Sequence, residues 1–158
     1  MRIDPGFQEL YRTEFQQIFR AAFLLCRDRT LAEDVAQEAF ARCLERWNRL
    51  RDQPWVGGWV MSAALNVARK ELKRRGRERS MLGPEPESPR SSDLSLDLRQ
   101  GIQRLPPRQQ EAVLLHYGTD LPVAQVAAVM RCEEGTVKAH LARARESLRA
   151  HLGGVVHE

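Results

Sequence analysis

Residues 121–145 read LPVAQVAAVMRCEEGTVKAHLARAR. The stretch divides into a short apolar run, a polar step at Arg131-Cys132-Glu133-Glu134-Gly135, and a second run that mixes apolar residues with cations. Stepped at about 100° per residue, Val137, Leu141, Ala144 and Leu148 share one side of a helix. Lys138, Ala139, Ala142, Arg143, Arg145, Glu146 and Arg149 fall on the other side. Two helices joined by a tight turn, the second showing cations and small residues outward, have the build of a helix-turn-helix. Cations suit phosphates, and small residues allow close approach to base edges. DNA is therefore the first partner to consider.

Upstream, helical period continues. Pro106-Pro107 breaks a lead helix that ends near Arg104 and opens another over 107–117, which Gly118 can terminate. The helix-turn-helix itself is expected at about 122–130 and 134–152. From Ser80 to Ser95 the composition turns to Pro and Ser with little apolar content, the mark of a linker. Taken as about 20 residues, it reaches at most roughly 65 Å, close to two turns of duplex DNA at about 34–36 Å each.

Before the linker, three more helices are legible. Asp4 caps the first, with Pro5 at its opening turn, and the helix runs to about Arg27. Phe7, Leu10, Tyr11, Phe15, Ile18, Phe19 and Ala22 form its apolar face. Thr30 with Glu33 reads as a capping box that starts the second. Leu31, Val35, Ala39, Cys43 and Trp47, widened by Ala36, Phe40 and Leu44, give it a core stripe. Its opposite face holds Asp34, Gln37, Glu38, Arg42 and Glu45. Asn48 to Pro54 reads as a loop, and a third helix follows from about Trp55 to Arg79. No strand signal emerges. The expectation is an all-α protein of two small helical domains, 1–79 and 96–158, joined by a flexible linker at 80–95.

Charge is unevenly spread. The 158 residues carry 25 Lys/Arg against 21 Asp/Glu, a net of +4, which permits nucleic-acid binding without requiring it. Residues 69–79, RKELKRRGRER, concentrate seven cations against two glutamates, so the excess sits on one helix. Cys26, Cys43 and Cys132 form no CxxC pair and read as core packing. The four histidines lack cysteine spacing for zinc. No cofactor, metal or catalytic set is expected, and no apolar run suggests membrane insertion. The chain reads as a reduced, cytoplasmic protein.

The helix-turn-helix resembles two families. Gly135-Thr136-Val137-Lys138-Ala139-His140 is similar to the recognition helix of LuxR-type regulators. Leu105-Pro106-Pro107-Arg108-Gln109 and Arg143-Ala144-Arg145 resemble region 4 of sigma-70 family initiation factors. The first half favours the second family. Ala32-Glu33-Asp34-Val35-Ala36-Gln37-Glu38-Ala39-Phe40 resembles sigma region 2.2, and residues 59–69, WVMSAALNVAR, resemble regions 2.3 to 2.4. With only regions 2 and 4 and a short linker, the chain is similar to the extracytoplasmic-function (ECF) group.

That resemblance implies roles. Asp34, Gln37 and Glu38, on one exposed face at i, i+3 and i+4, would dock on the β′ clamp helices of core RNA polymerase, with the β subunit as a further contact. Asn66 would read a −10 base, Trp55 would stack on an extruded one, and Arg69, Lys70, Lys73 and Arg74 would neutralise phosphates. Thr136, Lys138, Ala139, His140, Ala142, Arg143 and Arg145 would meet the −35 element. Ala139 and Ala142 stand where some relatives carry a hydroxyl and an aromatic, so the preferred −35 sequence should differ. Promoter DNA, duplex and single-stranded, and an anti-sigma factor are the other partners implied. A rival of another class stays open on these residues: a stand-alone helix-turn-helix regulator that never engages polymerase.

Overall fold

In the first half of the chain, three long helices wrap one aromatic centre. Those helices come from a computed structural model that describes residues 2–82 and 94–156. Helix α1 spans Pro5–Cys26, and the Asp4 carboxylate accepts from the Gly6 N–H at 2.7 Å, as its sequence predicts. It stops at Arg27, which turns left-handed at φ 57° and donates its N–H to the Phe23 carbonyl.

Helix α2 spans Arg29–Glu45 and is capped by Asp28, not by the expected Thr30. The Asp28 carboxylate accepts from the Leu31 N–H at 3.1 Å and also pairs with Arg75 at 3.1 Å. A carboxylate at this end complements the helix dipole as well as an orphan N–H, so it outcompetes a hydroxyl two residues later. The expected 48–54 loop begins as a further helical turn, α3, Trp47–Leu50. Trp47 and Leu50 are both buried, so this turn is held by the core. Helix α4 spans Val56–Leu82.

Phe7 meets the edges of Phe40 and Trp47 at 6.2 and 5.4 Å between ring centroids. Ile18, Val35, Val60, Met61 and Leu65 close the core around them. Trp59 is half-buried beneath the Arg46 guanidinium, 5.8 Å from its ring. Tyr11 and Leu44 depart from the expected core stripes and are exposed. Both lie at the margin of a stripe whose centre is already filled by Phe40 and its neighbours.

The second half opens with α5, Leu94–Gln103, and α6, Pro107–Val113. The helix expected to continue to 117 instead widens into a π-helical turn, Leu114–Gly118. That winding lets the adjacent Leu114 and Leu115 both turn inward. Helices α7, Val123–Met130, and α8, Glu134–Val156, form the helix-turn-helix. Val137, Leu141 and Ala144 of α8 are buried, as their spacing predicts. Tyr117 does not join them: it is 55% exposed.

Every described element is helical, and α5, α6 and α7 all pack on α8. The two halves also touch each other, and their buried residues form one continuous cluster. Of the expected linker at 80–95, residues 80–82 extend α4 and 94–95 open α5; the stretch between lies outside the described residues. No helix among the described residues is long and apolar enough to cross a membrane.

Candidate functional site

Three surfaces carry the sequence-predicted residues. On α2, Asp34, Gln37 and Glu38 are all exposed on one face. Glu38 pairs with Arg42 one turn on at 3.2 Å, while Asp34 and Gln37 have no side-chain partner among the described residues. Leu44 lies two turns from Gln37 on the same side and is 41% exposed. An apolar side chain therefore continues the Gln37 edge of this face. The sequence stripe hid it, because Leu44 is spaced as a core residue.

On α4, Asn66, Lys70 and Lys73 follow one another at i, i+4 and i+7 and are exposed. They border a cleft of about 1200 Å³ between the halves, walled on one side by Arg27, Arg42 and Arg75, with Asp28 its one acidic side chain, and on the other by Gln103, Pro107 and Gln110. Those three arginines come from separate places in the chain, so only folding reveals that Asn66 opens onto a basic cleft. Arg75 is partly neutralised there by Asp28 and Glu71. Arg74 pairs with Glu71.

Arg69 is placed differently from its neighbours. Its guanidinium is half-buried and donates to Gln110 Oε1 at 3.0 Å and to the Pro107 carbonyl at 2.8 Å. Asn66 Oδ1 lies 3.5 Å from the same group. Burial lowers its pKa, partly offset by the Glu111 charge, with Arg108 adding to the lowering. Trp55 is half-buried against the core, leaving only part of its ring for stacking.

On α8, Thr136, Lys138, Ala142, Arg143 and Arg145 are exposed, and Ala139 and His140 are half-buried. Arg145 donates to the hydroxyl of the exposed Tyr117 at 3.0 Å. His140 points partly inward: its Nδ1 is buried without a hydrogen-bond partner. Burial first, then the Arg108 and Arg143 charges, lowers its pKa, so the ring is neutral at pH 7.

The turn between α7 and α8 is set by Arg131 at φ 56° and ψ 51°. A left-handed non-glycine residue carries a steric cost. Hydrogen bonds hold it: the Cys132 N–H donates to the Ala127 carbonyl at 3.1 Å, and Arg108 donates to the Met130 carbonyl at 2.7 Å. Arg108 also pairs with Glu111 at 2.8 Å. Arg108, one residue of the Leu105–Gln109 motif, thereby ties α6 to the end of α7, a role that appears only once the two helices are packed. Cys26 and Cys43 are free and buried, and burial pushes both thiols up to about 11.

Residues 10–78 match the family model for sigma-70 region 2, and residues 95–148 match that for sigma-70 region 4. The chain belongs to the sigma-70 family, as an ECF-type RNA polymerase sigma factor. Among its relatives is the ECF RNA polymerase sigma factor SigE of Mycolicibacterium smegmatis, 29% identical over 94% of this chain and 62% of that one. The RNA polymerase sigma-E factor of Streptomyces coelicolor is 29% identical over 92% of this chain and 85% of its own. The ECF sigma factor SigM of Bacillus subtilis is 25% identical over 90% and 92%. In fold, this sigma factor is similar to Bartonella quintana RpoE, solved with the anti-sigma factor NepR. The TM-score is 0.70 at 22% identity, over 93% of this chain and 96% of that one. The region 2 match decides against the stand-alone regulator, which has no such first half.

Proposed function

We propose that this sigma factor docks on core RNA polymerase through Asp34, Gln37 and Glu38, with Leu44 as an apolar anchor beside them. It grips the −10 element through Asn66, Lys70 and Lys73, and the −35 element through Lys138, Ala142, Arg143 and Arg145. Strand opening draws its energy from captured single-stranded bases and polymerase contacts, and the polymerase alone does the covalent chemistry. Residues 1–79 and 96–158 act as the two gripping units and 80–95 as their tether. The chain works in the cytoplasm. The RpoE–NepR complex supports an anti-sigma protein as a further partner.

One observation carries this reading: two exposed helix faces, on α2 and α4, have opposite character. The α2 face is acidic and repels DNA; the α4 face borders a basic cleft and attracts it. Run-off transcription with core polymerase and this chain tests the whole. Reversing Asp34 and Glu38 to Lys should abolish core binding in a pull-down while the helical circular-dichroism signal stays unchanged. Undiminished binding would overturn the docking face.

A further inference from the structure

We infer that Arg27 is a further contact to the promoter: with Lys70 and Lys73 it completes a track of bare cations that holds the phosphate backbone of the separated −10 strand. This extends the −10 reading proposed above for α4 and rests on it.

Six cations line the cleft beside Asn66, and three of them are already engaged. Arg42 pairs with Glu38, and Arg75 with Asp28 and Glu71. Arg69 gives its donors to Gln110 and to the Pro107 carbonyl. Arg27, Lys70 and Lys73 have no acidic partner among the described residues, and all three are exposed. Asp28, the one carboxylate of the cleft, does not serve Arg27: it accepts from the Leu31 N–H and from Arg75. A bare cation that meets a phosphate displaces counterions from the strand and breaks no bond of its own.

The fold holds Arg27 beside the two lysines. Its chain neighbour Asp28 is ion-paired at 3.1 Å with Arg75, two residues beyond Lys73 on α4. That pair ties the end of α1 to the stretch of α4 that carries the lysines. Arg27, Lys70 and Lys73 thus belong to one packed bundle of α1, α2 and α4. Their mutual placement does not depend on where the second half lies.

Arg27 also sits on a strained backbone. It turns left-handed at φ 57°, a conformation that costs a residue with a Cβ and that glycine adopts freely. The bond made there runs from its backbone N–H to the Phe23 carbonyl, and glycine would make it equally well. The side chain therefore adds strain and no bond among the described residues. Strain kept without a structural return points to a binding role, and a strand phosphate in the cleft supplies it.

The test is the salt dependence of promoter binding by holoenzyme, formed from core polymerase and the full chain. The probe is a forked duplex in which one strand of the −10 element is left unpaired. Log affinity falls linearly with log salt, with a slope of about 0.7 for each single-strand phosphate neutralised. Arg27→Gly should make the slope shallower by about 0.7, while the thermal midpoint of the free chain stays level or rises as the left-handed strain is relieved. Arg27→Asn, neutral and also tolerant of positive φ, serves as the second variant if glycine loosens the helix end. Arg20→Ala removes the same charge from α1 outside the cleft and should leave the slope unchanged. A native slope in both Arg27 variants, or an equal shift from Arg20→Ala, overturns the phosphate contact. Native holoenzyme that binds the fork no better than the fully paired duplex overturns the −10 reading instead.

Discussion

Asn66 shows what a single side chain can carry. It stands exposed on α4, its amide able to donate and accept toward a base edge, with Lys70 and Lys73 beside it for the phosphates. Asn66→Ala should cost roughly 1–3 kcal/mol of −10 discrimination, the value of a good base contact. Transcription from a set of −10 variants measures it, and equal output from all of them by the native chain would remove Asn66 from base reading. Arg69, three residues on, was expected to act as its neighbours do, yet the fold ties it to Gln110. That difference was unreadable because the two residues are 41 apart in sequence and meet only across two packed halves. Asp28 illustrates a local miss of another kind. Thr30-x-x-Glu33 matches a capping pattern, but Asp28 lies just upstream and binds the helix end more strongly, so a valid pattern lost to a better competitor nearby.

At the scale of the element, α8 is the part most fully legible in advance. Val137, Leu141 and Ala144 are buried and Lys138, Ala142, Arg143 and Arg145 exposed, because a helix on a core leaves the apolar spacing little freedom. Arg143→Ala should therefore weaken −35 footprinting far more than Glu146→Ala; equal loss from both would mean that another face of α8 meets the DNA. His140 was expected on that DNA face but is half-buried, since its position lies at the edge between the two sides. Its proton linkage follows from its surroundings. Above the ordinary value of 6.5 the ring is neutral in folded and unfolded chains alike, and pH has no effect through it. As pH falls below that value the unfolded chain takes up the proton first, so stability falls. The thermal midpoint should drop more steeply from about pH 7 to about pH 5.5 in the native chain than in His140→Gln. Parallel curves would show that His140 titrates freely. Periodicity placed the helices themselves well, whereas the π-helical turn at Leu114–Gly118 and the helical start of the 48–54 segment depend on which side chains the finished core accepts.

For the whole molecule, the two resembled regions were visible in order along the sequence, but their mutual packing was not. Gly57-Gly58 opens α4 with two residues that favour a helix little, and nothing in a one-dimensional pattern says that Leu121 will sit on one of them. The arrangement has a thermodynamic corollary in Glu111. One buried carboxylate accepts from Ser62 of the first half and from Arg108, and Arg108 in turn holds the carbonyl that ends α7. The hinge of the helix-turn-helix and the seal between the halves thus share an atom group. Whatever −35 duplex does to that seal, the seal must do in equal measure to −35 affinity, because binding free energies around a closed cycle are reciprocal. Ser62→Ala removes the bond from one side only, and the affinity of the isolated chain for a −35 duplex, read by fluorescence anisotropy, should change by the same factor by which that duplex shifts the packing of the halves. Unchanged affinity would uncouple the two. If the coupling holds, promoter selectivity in this protein is a property of a conformational equilibrium as well as of base contacts. Substitutions far from any nucleotide could then retune which promoters it answers.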